Sequence, residues 1–182
     1  MIFNCIICNQ FSFEVICKKC QKEFLKPEIK FKDDIVNFYK FDEINFLLQY
    51  KYEKFGDSVF NILAKNSFKI FAKKFKEKAF VIPIDDKTDK GFSHTAILAK
   101  SMKTKHLTPL FSTLHSKNNF QYAGKSLEER LNNPRNFEYK GPKNIDVILV
   151  DDITTTELTL KEAKNTLQKN EVNVLLSVVL AR

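Results

Sequence analysis

Apolar residues along the chain follow two alternating rhythms: short runs that are nearly unbroken, and longer stretches in which they recur every third and fourth position. Ile35–Tyr39, Ala79–Ile84, Leu107–Leu110, Asp146–Val150 and Val172–Leu180 are of the first kind and read as strands. The last is almost wholly apolar, as a central strand covered on both faces is. Phe41–Leu48 continuing through Tyr52, Phe60–Phe75, His94–Met102 and Thr159–Lys169 are of the second kind and read as helices. In Phe60–Phe75 the apolar face is Phe60, Leu63, Ala64, Phe68, Phe71, Ala72 and Phe75, with lysines over much of the remainder. Pro27 and the charged run Lys30–Asp34 read as a connector. Residues 111–143 are polar with little periodicity, and a loop of that length inside a domain is usually functional or mobile. Strands alternating with helices predict an α/β fold with a mostly parallel sheet flanked by helices.

At 182 residues, 43% hydrophobic and 29% charged, the chain is long enough for one ordinary domain with a small appendage and too apolar for a disordered one. No run approaches the ~18 apolar residues of a membrane span. Met1–Cys5 lacks the basic and apolar regions of a secretory signal, so a cytoplasmic globular protein is expected. Lysine and arginine outnumber acids 30 to 22, and only Arg130, Arg135 and Arg182 are arginines. A lysine surface attracts phosphate through mobile point charges and suits sequence-independent affinity for a polyanion; biased codon usage is the alternative. With four glycines in all, neither the dinucleotide-binding nor the Walker-type glycine motif can be written.

All four cysteines lie in the first 20 residues, as two CxxC pairs: Cys5 with Cys8, and Cys17 with Cys20. That spacing suits a tetrahedral zinc site of four thiolates with no open position, hence structural rather than catalytic. Two disulfides or inert buried thiols are the other readings. A module this short has no core of its own and depends on metal to fold.

The most informative stretch is Val147–Leu160. Four aliphatic residues deliver Asp151 and Asp152 to the carboxyl end of a strand, where open parallel sheets bind ligands. Threonines then crowd the start of a helix, whose N–H groups and dipole favour an anion. Carboxylates beside a phosphate cradle suit a ligand with both a diol and a phosphate, or a bound magnesium ion. The plainer reading takes the threonines as helix caps and the aspartates as a solvated turn.

Val147–Thr159 resembles the thirteen-residue phosphoribosyl-pyrophosphate (PRPP) motif of type I phosphoribosyltransferases. More narrowly, the chain resembles the ComF competence proteins of naturally transformable bacteria, which join an N-terminal zinc finger to a phosphoribosyltransferase-like domain. The matching pieces are Leu47–Tyr52 with Gly56, Lys90–His94, Ala123–Ser126 with Glu129, Arg130 and Asn133, and the closing Leu180-Ala181-Arg182. The resemblance implies a zinc module over residues 1–24 and a phosphoribosyltransferase-like domain over 25–182. It places Asp151 and Asp152 against ribose hydroxyls, and the loop Thr154, Thr155, Thr156, Glu157, Leu158 and Thr159 around the 5′-phosphate. It assigns pyrophosphate to the loop of Asp85, Asp86, Lys87 and Lys90, with Mg2+ arriving alongside PRPP and Zn2+ held by the cysteines. Its implied partners are single-stranded DNA and proteins of the DNA-uptake machinery.

Two positions depart from the family. Glu157 stands where the motif has glycine, which puts a negative charge beside a bound dianion. The pyrophosphate loop, usually arginine-rich, carries three acids and two lysines over residues 85–90. Three functions therefore remain on the residues alone: a PRPP- and DNA-binding protein, an active transferase, or a catalytically dead scaffold. His94, His106 and His115 lack ligand spacing and read as ordinary surface or loop residues. Phe111, Phe120 and Tyr122, interleaved with Lys117 and Lys125, read either as a folded lid or as a base-stacking segment.

Overall fold

A computed structural model describes residues 3–85, 91–118 and 125–182. A six-stranded sheet organises them. In chain order its strands are β3 (Lys30–Lys32), β4 (Ile35–Tyr39), β5 (Ala79–Pro83), β6 (Leu107–Pro109), β9 (Asp146–Ile153) and β10 (Asn173–Ala181), arranged in space as β3-β4-β10-β9-β5-β6. All neighbours are parallel except β3, which runs antiparallel to β4 along the edge. The fold is therefore the mostly parallel α/β sheet that the alternating rhythm predicts.

Alternation along the strands divides the core in two. Val36, Phe38, Val81, Ile148, Val150, Val178 and Leu180 face one side, which is covered by α2 (Phe41–Leu48), α3 (Gly56–Asn66), α4 (Phe68–Lys74) and α5 (His94–Ser101). Ile35, Ile82, Val147, Leu149 and Val179 face the other. There Leu160, Ala163 and Leu167 of α7 (Leu158–Lys169) cover them beside the hairpin of β7 (Leu114–Ser116) and β8 (Phe137–Tyr139). The N-terminal segment is a two-stranded ribbon, β1 (Phe3–Asn4) with β2 (Phe11–Ser12), followed by α1 (Lys18–Phe24). Its Val15, Ile16 and Leu25 enter the same core as α2–α5. No helix among the described residues is long and apolar enough to cross a membrane.

Three expectations from the sequence are corrected. The single helix over Phe60–Phe75 is two, starting earlier at Gly56 and broken at Ser67, whose buried hydroxyl donates to the Leu63 carbonyl at 2.6 Å. A serine that bonds back onto its own helix competes with the backbone ladder and bends it. The charged run at Lys30–Asp34 is not only a connector: residues 30–32 form the edge strand, where lysines discourage further pairing. Residues 111–143 hold β7, β8 and the short helix α6 (Leu127–Asn132), pieces too brief for periodicity to reveal.

The order of the strands positions the site. From β5 the chain crosses through α5 to β6 on one side, whereas from β9 it crosses through α7 to β10 on the other. The crevice beyond the carboxyl ends of β5 and β9 is thus the switch point at which open α/β sheets bind ligands.

Candidate functional site

Both carboxylates lie within the strand rather than just past it. β9 runs through Ile153, and Asp151 is in register with Val179 of β10. They are 8% and 6% exposed, so each must be matched by a donor or neutralised. Asp151 Oδ1 accepts from the Asp152 amide at 2.9 Å, and Asp152 Oδ1 from the Ile153 amide at 2.9 Å. Lys51, on the 3-10 turn Gln49–Tyr52, brings its Nζ to 3.1 Å from Asp152 Oδ2; His94 Nε2, at the start of α5, lies 3.5 Å from the same oxygen.

This arrangement separates the two acids. Burial pushes Asp152 up, but Lys51 and then His94 outweigh it and hold its pKa at about 2. Burial and the adjacent Asp152 charge push Asp151 well above the ordinary carboxylate range. Burial also holds His94 below its ordinary value, against the pull of Asp152. The site thus presents two buried carboxyls of unlike basicity and one ammonium. That set can grip two neighbouring hydroxyls from both sides.

Beyond β9 the chain enters the threonine loop. Thr154 is buried and its amide donates to the Ala181 carbonyl, whereas Thr155 is exposed and its Oγ1 accepts from Arg130 Nη1 of α6 at 3.0 Å. Glu157 takes the left-handed conformation (φ 59°, ψ 3°) at the N-cap of α7. That is the backbone a glycine adopts freely, kept here by a residue for which it costs about 1 kcal/mol. The Glu157 carboxylate makes no capping bond; it is ion-paired with Arg182 and lies 3.7 Å from Lys161. The added negative charge is therefore neutralised within the protein, and the first-turn amides of α7 are left without a side-chain cap from it.

The third arginine, Arg135, lies 3.9 Å from Asp85 Oδ2 just past β5, while Asp85 Oδ1 accepts from the Ser116 amide at 3.0 Å. Asp86, Lys87 and Lys90 of the same loop, and Phe120 and Tyr122, lie outside the described residues. Phe111 is partly exposed and Lys125 pairs with Glu129. His94 is the histidine the sequence reading misplaced: spacing to other histidines or cysteines carries no signal when the partner is a carboxylate on another element. Lys51 was visible only as part of a family stretch, because its partner is 101 residues away in the chain. The turn bearing Lys51 is held by close approach at Gly56, where a Cβ would fall 1.9 Å from the Tyr50 carbonyl oxygen. Next to it, Tyr52, Lys54, Phe55, Gly91 and Phe92 line a cleft of about 370 Å³.

Magnesium prefers six oxygen ligands and commonly takes one or two carboxylates plus substrate phosphates. With Asp152 already ion-paired to Lys51 and both acids buried, this pair suits an ion that arrives on a ligand's phosphates rather than a resident one. The four cysteine sulfurs lie within 4.8 Å of one another, Cys8 and Cys17 being 3.7 Å apart. A zinc–thiolate tetrahedron with bonds of about 2.3 Å has edges of about 3.8 Å, so the cluster can hold a zinc ion. Amides support the sulfurs: Cys17 N–H donates to Cys5 Sγ and Cys20 N–H to Cys17 Sγ.

No family model and no curated protein matches the chain. Among solved structures it is similar to a hypoxanthine phosphoribosyltransferase from Staphylococcus aureus in a tetragonal crystal, with 21% identity and a TM-score of 0.41 over 74% of this chain and 70% of that one. The orthorhombic form of that enzyme gives 20% identity and 0.41 over 73% and 69%. Neither carries a substrate or a residue role to this chain.

Two outcomes follow from the site. Lys51→Met leaves Asp152 buried without its counter-charge and lowers stability at pH 7 by about 3 kcal/mol in denaturant titration, whereas Lys51→Met/Asp152→Asn costs only about 1 kcal/mol. Because Asp152 titrates below its ordinary 3.8, the stability it contributes is complete above that pH and is lost as the pH falls through about 2. The gap between wild type and Lys51→Met therefore narrows as the pH falls and the variant's Asp152 protonates first, and it has closed once the pH is below about 2. Stripping metal from zinc-loaded protein with a strong chelator exposes the amides of residues 3–24 to hydrogen exchange and lowers the melting temperature, and adding zinc back reverses both.

Proposed function

We propose that the chain binds PRPP or a related phosphoribosyl ligand as a cytoplasmic ComF-like protein of DNA uptake, and that it contacts single-stranded DNA. In this reading residues 1–24 are a structural zinc module and 25–182 the ligand-binding domain. The carrying observation is the buried Asp151–Asp152 pair at the switch point, with Lys51 on Asp152, directly ahead of the threonine loop at the start of α7. The ribose diol would lie on the two carboxyls. The 5′-phosphate would take the amides and hydroxyls of Thr155, Thr156 and Thr159, with Thr154, Glu157 and Leu158 shaping the loop. Asp85, Asp86, Lys87 and Lys90 would border the pyrophosphate, with Mg2+ arriving on the ligand. The competence role and any contact with uptake proteins rest on the family resemblance of the sequence.

A second reading, active transfer of ribose 5-phosphate from PRPP to an acceptor, is favoured by two contacts. Arg130 sits against Thr155 and Arg135 against Asp85, so rigid cationic forks stand at both ends of the crevice even though the pyrophosphate loop lacks arginine. Such groups stabilise charge developing on a departing pyrophosphate.

Calorimetric titration of PRPP into zinc-loaded protein with excess Mg2+ tests the binding. The expected result is micromolar affinity that disappears in Asp151→Ala/Asp152→Ala; no heat with wild-type protein overturns it. Pyrophosphate released above the protein-free rate with a panel of bases would select the transferase reading.

A further inference from the structure

The positive charge of the chain is not spread evenly. α4 and α5 are crossover helices running back against the strands, so their carboxyl ends lie at the amino edge of the sheet. The linkers that follow lie side by side there, with Ala79 and Leu107 in register and the Ala79 amide donating to the His106 carbonyl at 3.1 Å. Lys73 and Lys74 lie in the last turn of α4 and Lys76 and Lys78 in the first linker, while Lys100 lies in the last turn of α5 and Lys103 and Lys105 in the second linker; all are exposed. Glu77 is the lone acid among them, a surplus of six in a chain whose net charge is +8. Among the described residues none of these seven lysines forms an ion pair; Lys19, Lys22, Lys26, Lys32, Lys40, Lys54, Lys65, Lys69 and Lys169 form none either but are spread along the chain, whereas Lys18, Lys30, Lys117, Lys140, Lys143 and Lys164 are paired.

Helix ends welcome cations, and one or two lysines suffice for that. Seven unpaired ones repel each other, a cost that an external polyanion relieves. The zinc module has no such surplus. Its Lys18, Lys19 and Lys22 are opposed by Glu14, Glu23 and the two net negative charges of a zinc ion in four thiolates.

We propose that the amino edge of the sheet, at the two linkers after α4 and α5, is the nucleic-acid surface of this protein, and that it grips the phosphate backbone without reading sequence. This rests on the DNA-binding part of the proposed function and gives that contact a location. Lysine without arginine suits backbone contact over base readout. An anionic membrane would also want apolar side chains to insert, and none of the large exposed apolar residues lies in either linker. The surface is separate from the phosphoribosyl crevice: from the level of Val147 to Asp152 the strand rises ~16 Å. Both sites can then be filled together.

Fluorescence anisotropy with a labelled thirty-nucleotide single strand, across ~50 to 300 mM salt, tests this on the full zinc-loaded chain. Lys76→Gln/Lys78→Gln/Lys103→Gln/Lys105→Gln changes only exposed side chains. It is expected to weaken binding roughly tenfold or more at the lowest salt and to flatten the log–log salt slope by about 3. Lys18→Gln/Lys19→Gln/Lys22→Gln in the zinc module is expected to change affinity less than about twofold. If wild type binds and the linker variant matches it, or if the zinc-module variant takes the loss instead, the location is wrong while DNA binding stands. If wild type shows no binding at ~50 mM salt, DNA binding itself fails, and the location with it; capture by phosphatidylserine vesicles under the same conditions would then mark the edge as a membrane surface.

Discussion

The ion pair between Lys51 and Asp152 is the contact on which the rest of the site depends. Two adjacent carboxylates in the interior of a sheet cannot both stay charged, and neither can stay charged without a cation nearby. Lys51 supplies that cation from a turn far away in the chain, so the N-terminal helical layer and the carboxyl edge of the sheet are bound into one unit. Gly56 lets the turn approach, since any side chain there would strike the Tyr50 carbonyl. With Asp152 held ionised, the pKa of Asp151 is pushed above the ordinary carboxylate range. The asymmetry gives the pair two carboxyls of unlike basicity to set against a diol.

The division of the cations follows the same logic. All three arginines sit around the switch point: Arg130 on Thr155, Arg135 by Asp85, Arg182 on Glu157. Planar forks hold fixed geometry there. Seven lysines without an ion pair among the described residues cluster at the opposite edge, where long-range attraction matters more than geometry. Glu157 belongs to this division too. Its charge is met by Arg182 and Lys161 and its backbone retains the glycine-like conformation, so the loop keeps its form while its electrostatics change.

Where a feature is local in sequence, it was legible: the strand ending in two aspartates, the threonines before α7, the paired CxxC turns, and the rhythm of the parallel sheet. Features made by distant pairing were not. His94 looked ordinary because the group that gives it meaning, Asp152, is on another element. The break at Ser67 was hidden because a serine on a helix gives no outward sign of bonding backwards. The strands of residues 114–116 and 137–139 are three residues each, shorter than any periodic signal, and hold together only because β7 and β8 find one another. Glu157 looked like a defect because its neutralising partner arrives from the end of β10.

A crystal structure of the zinc-loaded chain grown with ribose 5-phosphate and Mg2+ tests the central claim most directly. The account predicts phosphate density against the amides of residues 155–159 and the ribose 2′- and 3′-hydroxyls within hydrogen-bond distance of Asp151 and Asp152, with Lys51 still on Asp152. Phosphate bound only along the lysines of the opposite edge, with the acidic pair untouched, would contradict it.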